Sequence, residues 1–151
     1  ADFISLKLGI NVVNGDSMRE RSFIPAVHNF LDTIREKKPN TPILVISPII
    51  CPFHEENPGP TLIGDNGLTS MERPQALAAG ALNLPKIRSI LEKIVKERGD
   101  ANLYFMSGLE LFNEGDLGMM PDLLHPNSAG YRLMGERFAA LQKDLISRVV
   151  H

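Results

Sequence analysis

Three short apolar runs, separated by stretches of helical period, set the fold of this chain before anything else is considered. Phe3-Ile4-Ser5-Leu6-Lys7-Leu8 alternates weakly between apolar and polar residues and stops at Gly9, as a short strand does. Pro42-Ile43-Leu44-Val45-Ile46-Ser47-Pro48 is denser, the pattern of a strand covered on both faces, and Asn102–Gly108 is the third run. Between and after them the period changes to that of a helix. Phe23, Val27, Phe30, Leu31 and Ile34 share one stripe; Ile87, Ile90, Leu91, Ile94 and Val95 share a second, ending at Gly99. Tyr131, Met134, Phe138, Leu141 and Leu145 make a third. The order β-α-β-α-β-α predicts an α/β domain with a parallel sheet and helices on its faces. Pro48–Pro60 is rich in proline and polar residues and is expected to be a long loop leaving the second strand, with turn chemistry added at Gly64–Gly67.

With 151 residues there is room for one domain, and no repeat or linker divides it. The 16 basic and 18 acidic side chains give a net charge of −2, which offers no electrostatic case for a nucleic-acid partner. No basic cluster suggests a membrane surface, and the longest apolar stretch, Pro42–Cys51, is far short of a span. A single cysteine excludes an internal disulfide framework, so the chain reads as cytoplasmic rather than secreted, or as indifferent to redox compartment. Three strands make a thin sheet, since open α/β domains usually have about five or six. The deficit, and a start at Ala1-Asp2 that runs at once into a strand, lead us to expect a single partial domain over 1–151 with its N-terminal strands missing. The exposed sheet edge would then be buried by that N-terminal segment or by a second copy of the chain.

In α/β sheets, ligands bind beyond the carboxyl ends of the strands. Gly9-Ile10-Asn11, Pro48–Pro60 and Gly108–His125 all arrive there. The last holds Asp122-Leu123-Leu124-His125-Pro126-Asn127. An Asp three residues before a His can fold back so that its carboxylate accepts the imidazole Nδ1–H, which leaves Nε2 as a proton acceptor. Asn127 or Ser128 is expected to cap the helix that follows. Asn11, just past a strand end, can donate its side-chain amide to a developing oxyanion, and Gly9 lets the backbone turn without a Cβ in the way. Each feature also has a plain structural use: Asp and His are common in loops, and Asn11 can simply turn the chain. Cys51 and His54 lie in the loop after the second strand, placed to line an acyl or alcohol pocket, with Leu117, Met119 and Met120 as further apolar wall. One Cys and one His do not fill a zinc site, so no metal is expected, and nothing calls for an organic cofactor.

Taken together, strand-Gly9-Ile10-Asn11 and Asp122-x-x-His125-Pro126-Asn127-x-x-Gly130-Tyr131 resemble, in this order, the third and fifth conserved blocks of the SGNH hydrolases, also called GDSL esterases and lipases. The resemblance covers essentially the whole chain. It implies a three-layer αβα, flavodoxin-like domain with a five-stranded parallel sheet. It also implies a serine-type esterase, lipase or acylhydrolase, or an acyl transferase, acting on a small-molecule ester or acyl substrate. His125 would be the general base, Asp122 its partner and Asn11 an oxyanion donor. The family's asparagine is usually followed by Asp, whereas Val12 follows here. The family serine stands in a Gly-Asp-Ser motif after the first strand, well before the asparagine. Gly15-Asp16-Ser17 spells that motif only four residues beyond Asn11, in turn sequence, and Ser17 is expected to cap the first helix instead. The nucleophile is therefore expected upstream. Two other readings stay open: a self-contained hydrolase using Cys51 or Ser17, and a non-catalytic flavodoxin-like binding module whose Asp-His pair is structural.

Overall fold

The computed structural model describes residues 1–149. In chain order the regular elements are β1 (Ile4–Lys7), α1 (Ile10–Asn14), α2 (Glu20–Lys37), β2 (Ile43–Ile46), α3 (Pro52–Glu56), β3 (Leu62–Gly64), β4 (Gly67–Thr69), α4 (Leu84–Arg98), β5 (Leu103–Met106), α5 (Ser128–Leu141) and α6 (Lys143–Val149). The main sheet is parallel, in the order β1-β2-β5, with Ile4 opposite Ile43 and Ile43 opposite Leu103. Ile43, Leu44, Val45 and Ile46 are at most 5% exposed, as a central strand covered on both faces requires. β1 instead alternates half-buried Ile4 and Leu6 with exposed Ser5 and Lys7, the pattern of an edge strand.

Helices cover both faces of the sheet. Phe23, Val27 and Leu31 of α2 and Leu84, Ile87, Leu91 and Ile94 of α4 pack with Ile43, Val45 and Leu103 on one side. On the other, Met134 and Phe138 of α5 pack on Leu44, Ile46 and Met106. The result is the expected three-layer αβα arrangement. α4 is well delimited: the Asn83 side chain accepts the Lys86 N–H at 3.1 Å, and the helix ends at Gly99 in the left-handed region, φ 59°.

Three expectations are corrected. The α2 stripe is narrower than expected, because Phe30 is 43% exposed. The C-terminal stripe is broken: α5 ends at Leu141, Leu145 belongs to α6, and Tyr131 is 58% exposed. The cause is Gly130, whose missing side chain lets α5 approach closely; a Cβ there would lie 3.0 Å from the Phe112 ring and 3.2 Å from Met119 O. That contact turns Gly130, Met134, Arg137 and Phe138 downward and Tyr131 outward. Finally, the segment after β2 is no plain loop. Pro48 to Cys51 are buried, α3 follows, and β3 and β4 form a hairpin with Asp65-Asn66 at its turn. No described helix is long and apolar enough to cross a membrane.

Candidate active site

Because the strands run parallel, the segments after β1, β2 and β5 leave the same edge of the sheet. The segment after β5 is anchored first. Gly108 N–H donates to the buried Ser47 Oγ at 3.0 Å, and a Cβ on Gly108 would fall 2.2 Å from Ser47 O, so only glycine fits. Further on, Asp116 is buried and held by the Arg137 guanidinium, whose Nη1 also donates to Leu111 O at 3.0 Å. The Asn127 side chain caps α5 by accepting the Gly130 N–H at 3.0 Å, as expected.

Between these anchors the chain folds back on itself. Leu123 takes the left-handed conformation, φ 59°, uncommon for a residue with a Cβ. This turn brings the N–H groups of Leu124 and His125 onto Asp122 Oδ1, at 3.0 and 2.6 Å. Asp122 Oδ2 then lies 2.7 Å from His125 Nδ1. Partial burial raises the Asp122 carboxyl, but the hydrogen bonds from the His125 ring and from the two backbone N–H groups outweigh it and hold the pKa at about 2. A carboxylate can only accept, so Nδ1 carries a proton, and in the neutral ring Nε2 keeps its lone pair. Among the described residues nothing hydrogen-bonds Nε2, and the His125 side chain is 65% exposed.

Asn11 stands in the first turn of α1, with its side chain exposed. Gly9, which precedes it, has φ 110°, and a Cβ there would meet Ile87 Cγ2 at 2.4 Å, so glycine is required by both conformation and space. α1 is tied down at its other end. Thr61 N–H donates to Asn14 O at 2.9 Å, and Gly59 packs against the Val13 carbonyl.

Cys51 and His54 do not line a pocket. They are 1% and 0% exposed, buried because the Pro48–Cys51 run turns inward against the core. Burial pushes the Cys51 thiol up to about 12, so the reactive thiolate is absent near neutral pH. His54 is enclosed between Asn57 O, 3.2 Å from Nδ1, and Thr61 Oγ1, 2.7 Å from Nε2. Ser17 is not the cap of α2: that position belongs to Arg19, whose N–H donates to Ser22 Oγ at 3.1 Å. Asp16, which precedes Ser17, is instead occupied by the guanidinium groups of Arg19 and Arg73 at 2.7 and 2.6 Å. A cleft of about 540 Å³ opens between the segments that follow β2 and β5. Ile50, Pro52, Leu109 and Leu117 give it an apolar wall, beside Glu56 and Glu114. Of the further wall residues expected, Leu117 does line this cleft, whereas Met120 is buried at 1% exposure.

Arg88 is a residue that the apolar pattern passed over. From α4 it donates to Pro48 O and Ile49 O at 3.0 Å each and grips both Glu55 oxygens at 2.7 Å. A cation at the border of the stripe formed by Leu84, Ile87 and Leu91 was the signal that could have found it. Among the described residues, no three His, Cys, Asp or Glu side chains converge as a metal site would need.

No family model matches the chain. No curated protein matches it either. Solved structures do. A salicylyl-acyltransferase, SsfX3, from a tetracycline biosynthetic pathway superposes on 100% of this chain with a TM-score of 0.73 and 22% identity. A GDSL-like lipase from Bacteroides ovatus covers 97% with a TM-score of 0.65 and 19% identity. A carbohydrate esterase family 3 protein from Talaromyces cellulolyticus covers 98% with a TM-score of 0.63 and 17% identity. The fold is that of the SGNH hydrolases. This chain spans 40%, 36% and 60% of the length of those three proteins. Asn11 and the Asp122–His125 pair both stand beyond the carboxyl ends of the strands, after β1 and β5.

Proposed function

We propose that this chain carries the acid–base part of a serine-type ester hydrolase or acyl transferase that works through an acyl-enzyme. The observation that carries this reading is the 2.7 Å contact of Asp122 Oδ2 with His125 Nδ1 at the carboxyl edge of the sheet. It leaves His125 Nε2 as a free base. Nε2 takes the proton from a serine hydroxyl as Oγ attacks the ester carbonyl carbon, and Asp122 stabilises the imidazolium so formed. The carbonyl π electrons move onto oxygen, and the Asn11 amide donates to that oxyanion, an effect worth several kcal/mol when the donor is preorganised. Collapse expels the alcohol, which takes its proton from Nε2. Water, or a hydroxyl or amine acceptor, then repeats the sequence on the acyl-serine.

The nucleophilic serine is proposed to lie outside these 151 residues. The buried Cys51 thiol, at about 12, is unsuited to attack, and Ser17 has no described bond to His125. The proposed substrate is a small-molecule ester whose apolar part occupies the cleft walled by Ile50, Pro52, Leu109 and Leu117. The likeness in fold to an acyltransferase, a lipase and a carbohydrate esterase supports the reaction class.

The test is turnover of p-nitrophenyl acetate by the full-length protein. His125→Ala is expected to lower kcat by about 10⁴-fold or more, and Asp122→Asn by on the order of 10²- to 10⁴-fold, with native circular dichroism retained. Wild-type turnover in His125→Ala would refute the reading. Turnover by the 151 residues alone, abolished by His125→Ala, would put the nucleophile inside this segment.

A further inference from the structure

His54 is a fully buried imidazole that the proposed chemistry does not use. Its surroundings determine its protons. Asn57 O, 3.2 Å from Nδ1, can only accept, so Nδ1 carries a hydrogen. Burial, the largest influence on this ring, lowers its pKa, against smaller raising effects from Asn57 O and Glu55, so the ring is neutral and Nε2 is an acceptor. Among the described residues the one hydrogen-bond partner of Nε2 is Thr61 Oγ1 at 2.7 Å, which must therefore donate its single hydrogen to it. Thr61 Oγ1 also lies 3.0 Å from the Asn14 side-chain atom placed as Oδ1, to which it would donate as the amide stands. With its hydrogen spent on His54, Thr61 can only accept there. The Asn14 amide must then turn its NH₂ to Thr61, the half-turn of an amide that heavy-atom positions leave open. The chain runs in one direction: Asn14 Nδ2–H to Thr61 Oγ1–H to His54 Nε2, with His54 Nδ1–H to Asn57 O.

This relay ends on α1. The helix has five residues, no side-chain cap at its N-terminus, and Asn11 in its first turn, so its own hydrogen bonds hold it weakly. Its C-terminal end is held from outside, by the Thr61 N–H on Asn14 O at 2.9 Å and by the relay on the Asn14 side chain. We infer that His54 is a positioning residue: through Thr61 and Asn14 it orients α1, and with it the direction in which Asn11 presents its amide. The inference rests on Asn11 being an oxyanion donor. An oxyanion donor acts in the transition state, so a misdirected Asn11 lowers kcat and leaves KM unchanged.

The experiment is a double-mutant cycle between Thr61→Val and Asn11→Ala in the full-length protein, read by kcat and KM on p-nitrophenyl acetate. Val keeps the shape of Thr and removes the hydroxyl that links His54 to Asn14. Thr61→Val is expected to lower kcat about tenfold in the wild-type background, with KM within about twofold, and Thr61→Ser to restore it. In the Asn11→Ala background Thr61→Val is expected to change kcat by less than about twofold, because the group it positions is gone. Equal losses in both backgrounds would mean that the relay holds the fold and nothing more, and would overturn the inference while leaving the catalytic reading intact. If Asn11→Ala itself leaves kcat unchanged, both fall together. Should Thr61→Val fail to fold, His54→Gln replaces it in the same cycle with the same two outcomes.

Discussion

Asp122 shows how much can rest on one side chain. Its two oxygens receive three hydrogen bonds, from the Leu124 and His125 N–H groups and from the His125 ring. All three favour the ionised form, and the pKa is about 2 against roughly 3.9 in an unfolded chain. A depressed carboxyl contributes stability that is complete above the unfolded value and disappears as pH falls through the folded one. The difference in unfolding free energy between wild type and Asp122→Asn is therefore expected to shrink steadily as pH falls from about 4 to about 2. Urea denaturation at half-unit steps measures it, and a difference that does not change with pH would remove the carboxylate's role. Leu123 shows the other side of this arrangement: its φ of 59° is what turns both N–H groups onto Asp122, at a cost of about 1 kcal/mol for a residue with a Cβ.

At the level of elements, the segment after β2 is the part that tertiary contacts reshaped most. Its prolines and polar residues suggest a long loop, yet Arg88 gathers Pro48 O, Ile49 O and both Glu55 oxygens into one cluster. The Cys51 N–H donates to the same Glu55, at 3.4 Å, so α3 and the buried run before it are both tied to α4. Replacing Arg88 by Ala leaves a carboxylate and two carbonyls without their partner in a partly buried place. The expected cost is about 3 kcal/mol. For a chain of this size that is a fall in Tm of roughly 6–12 °C by calorimetry. Arg88→Lys should recover only part of the loss, because an ammonium lacks the planar fork. A change below about 1 kcal/mol in Arg88→Ala would mean that apolar burial alone holds the segment.

For the whole molecule, stability is expected to fall off from the central strand outward. β2 is covered on both faces and paired on both edges, whereas among the described residues β1 is bonded to β2 on one side only. The Ile4 and Leu8 N–H groups donate to Pro42 O and Ile46 O, so by the alternation of a strand those of Ser5 and Lys7 face the open edge. Native-state hydrogen exchange should find Leu44–Ile46 among the slowest amides and Ser5 and Lys7 among the fastest in the sheet. Slow exchange at Ser5 and Lys7 would show that the edge is covered in solution.

Residues 3–8, 42–48 and 102–108 declared themselves as strands, and the stripes of α2 and α4 as helices, because burial of one face or both imposes a period that survives in the order of residues. The Asp122–His125 contact was legible for the same reason of locality: two residues separate the partners, and a turn joins them. Sequence could not show that Cys51 and His54 face inward. That depends on Pro48–Cys51 turning into the core, which Arg88 enforces from 33 residues beyond Glu55. Nor could it show that Tyr131 faces outward, which follows from the contact of Gly130 with Phe112. The relay from His54 through Thr61 to Asn14 spans 47 residues between its last two members and repeats no motif. Local order encodes period, caps and short turns; the directions of side chains that meet across long separations are decided only when the packed chain brings them together.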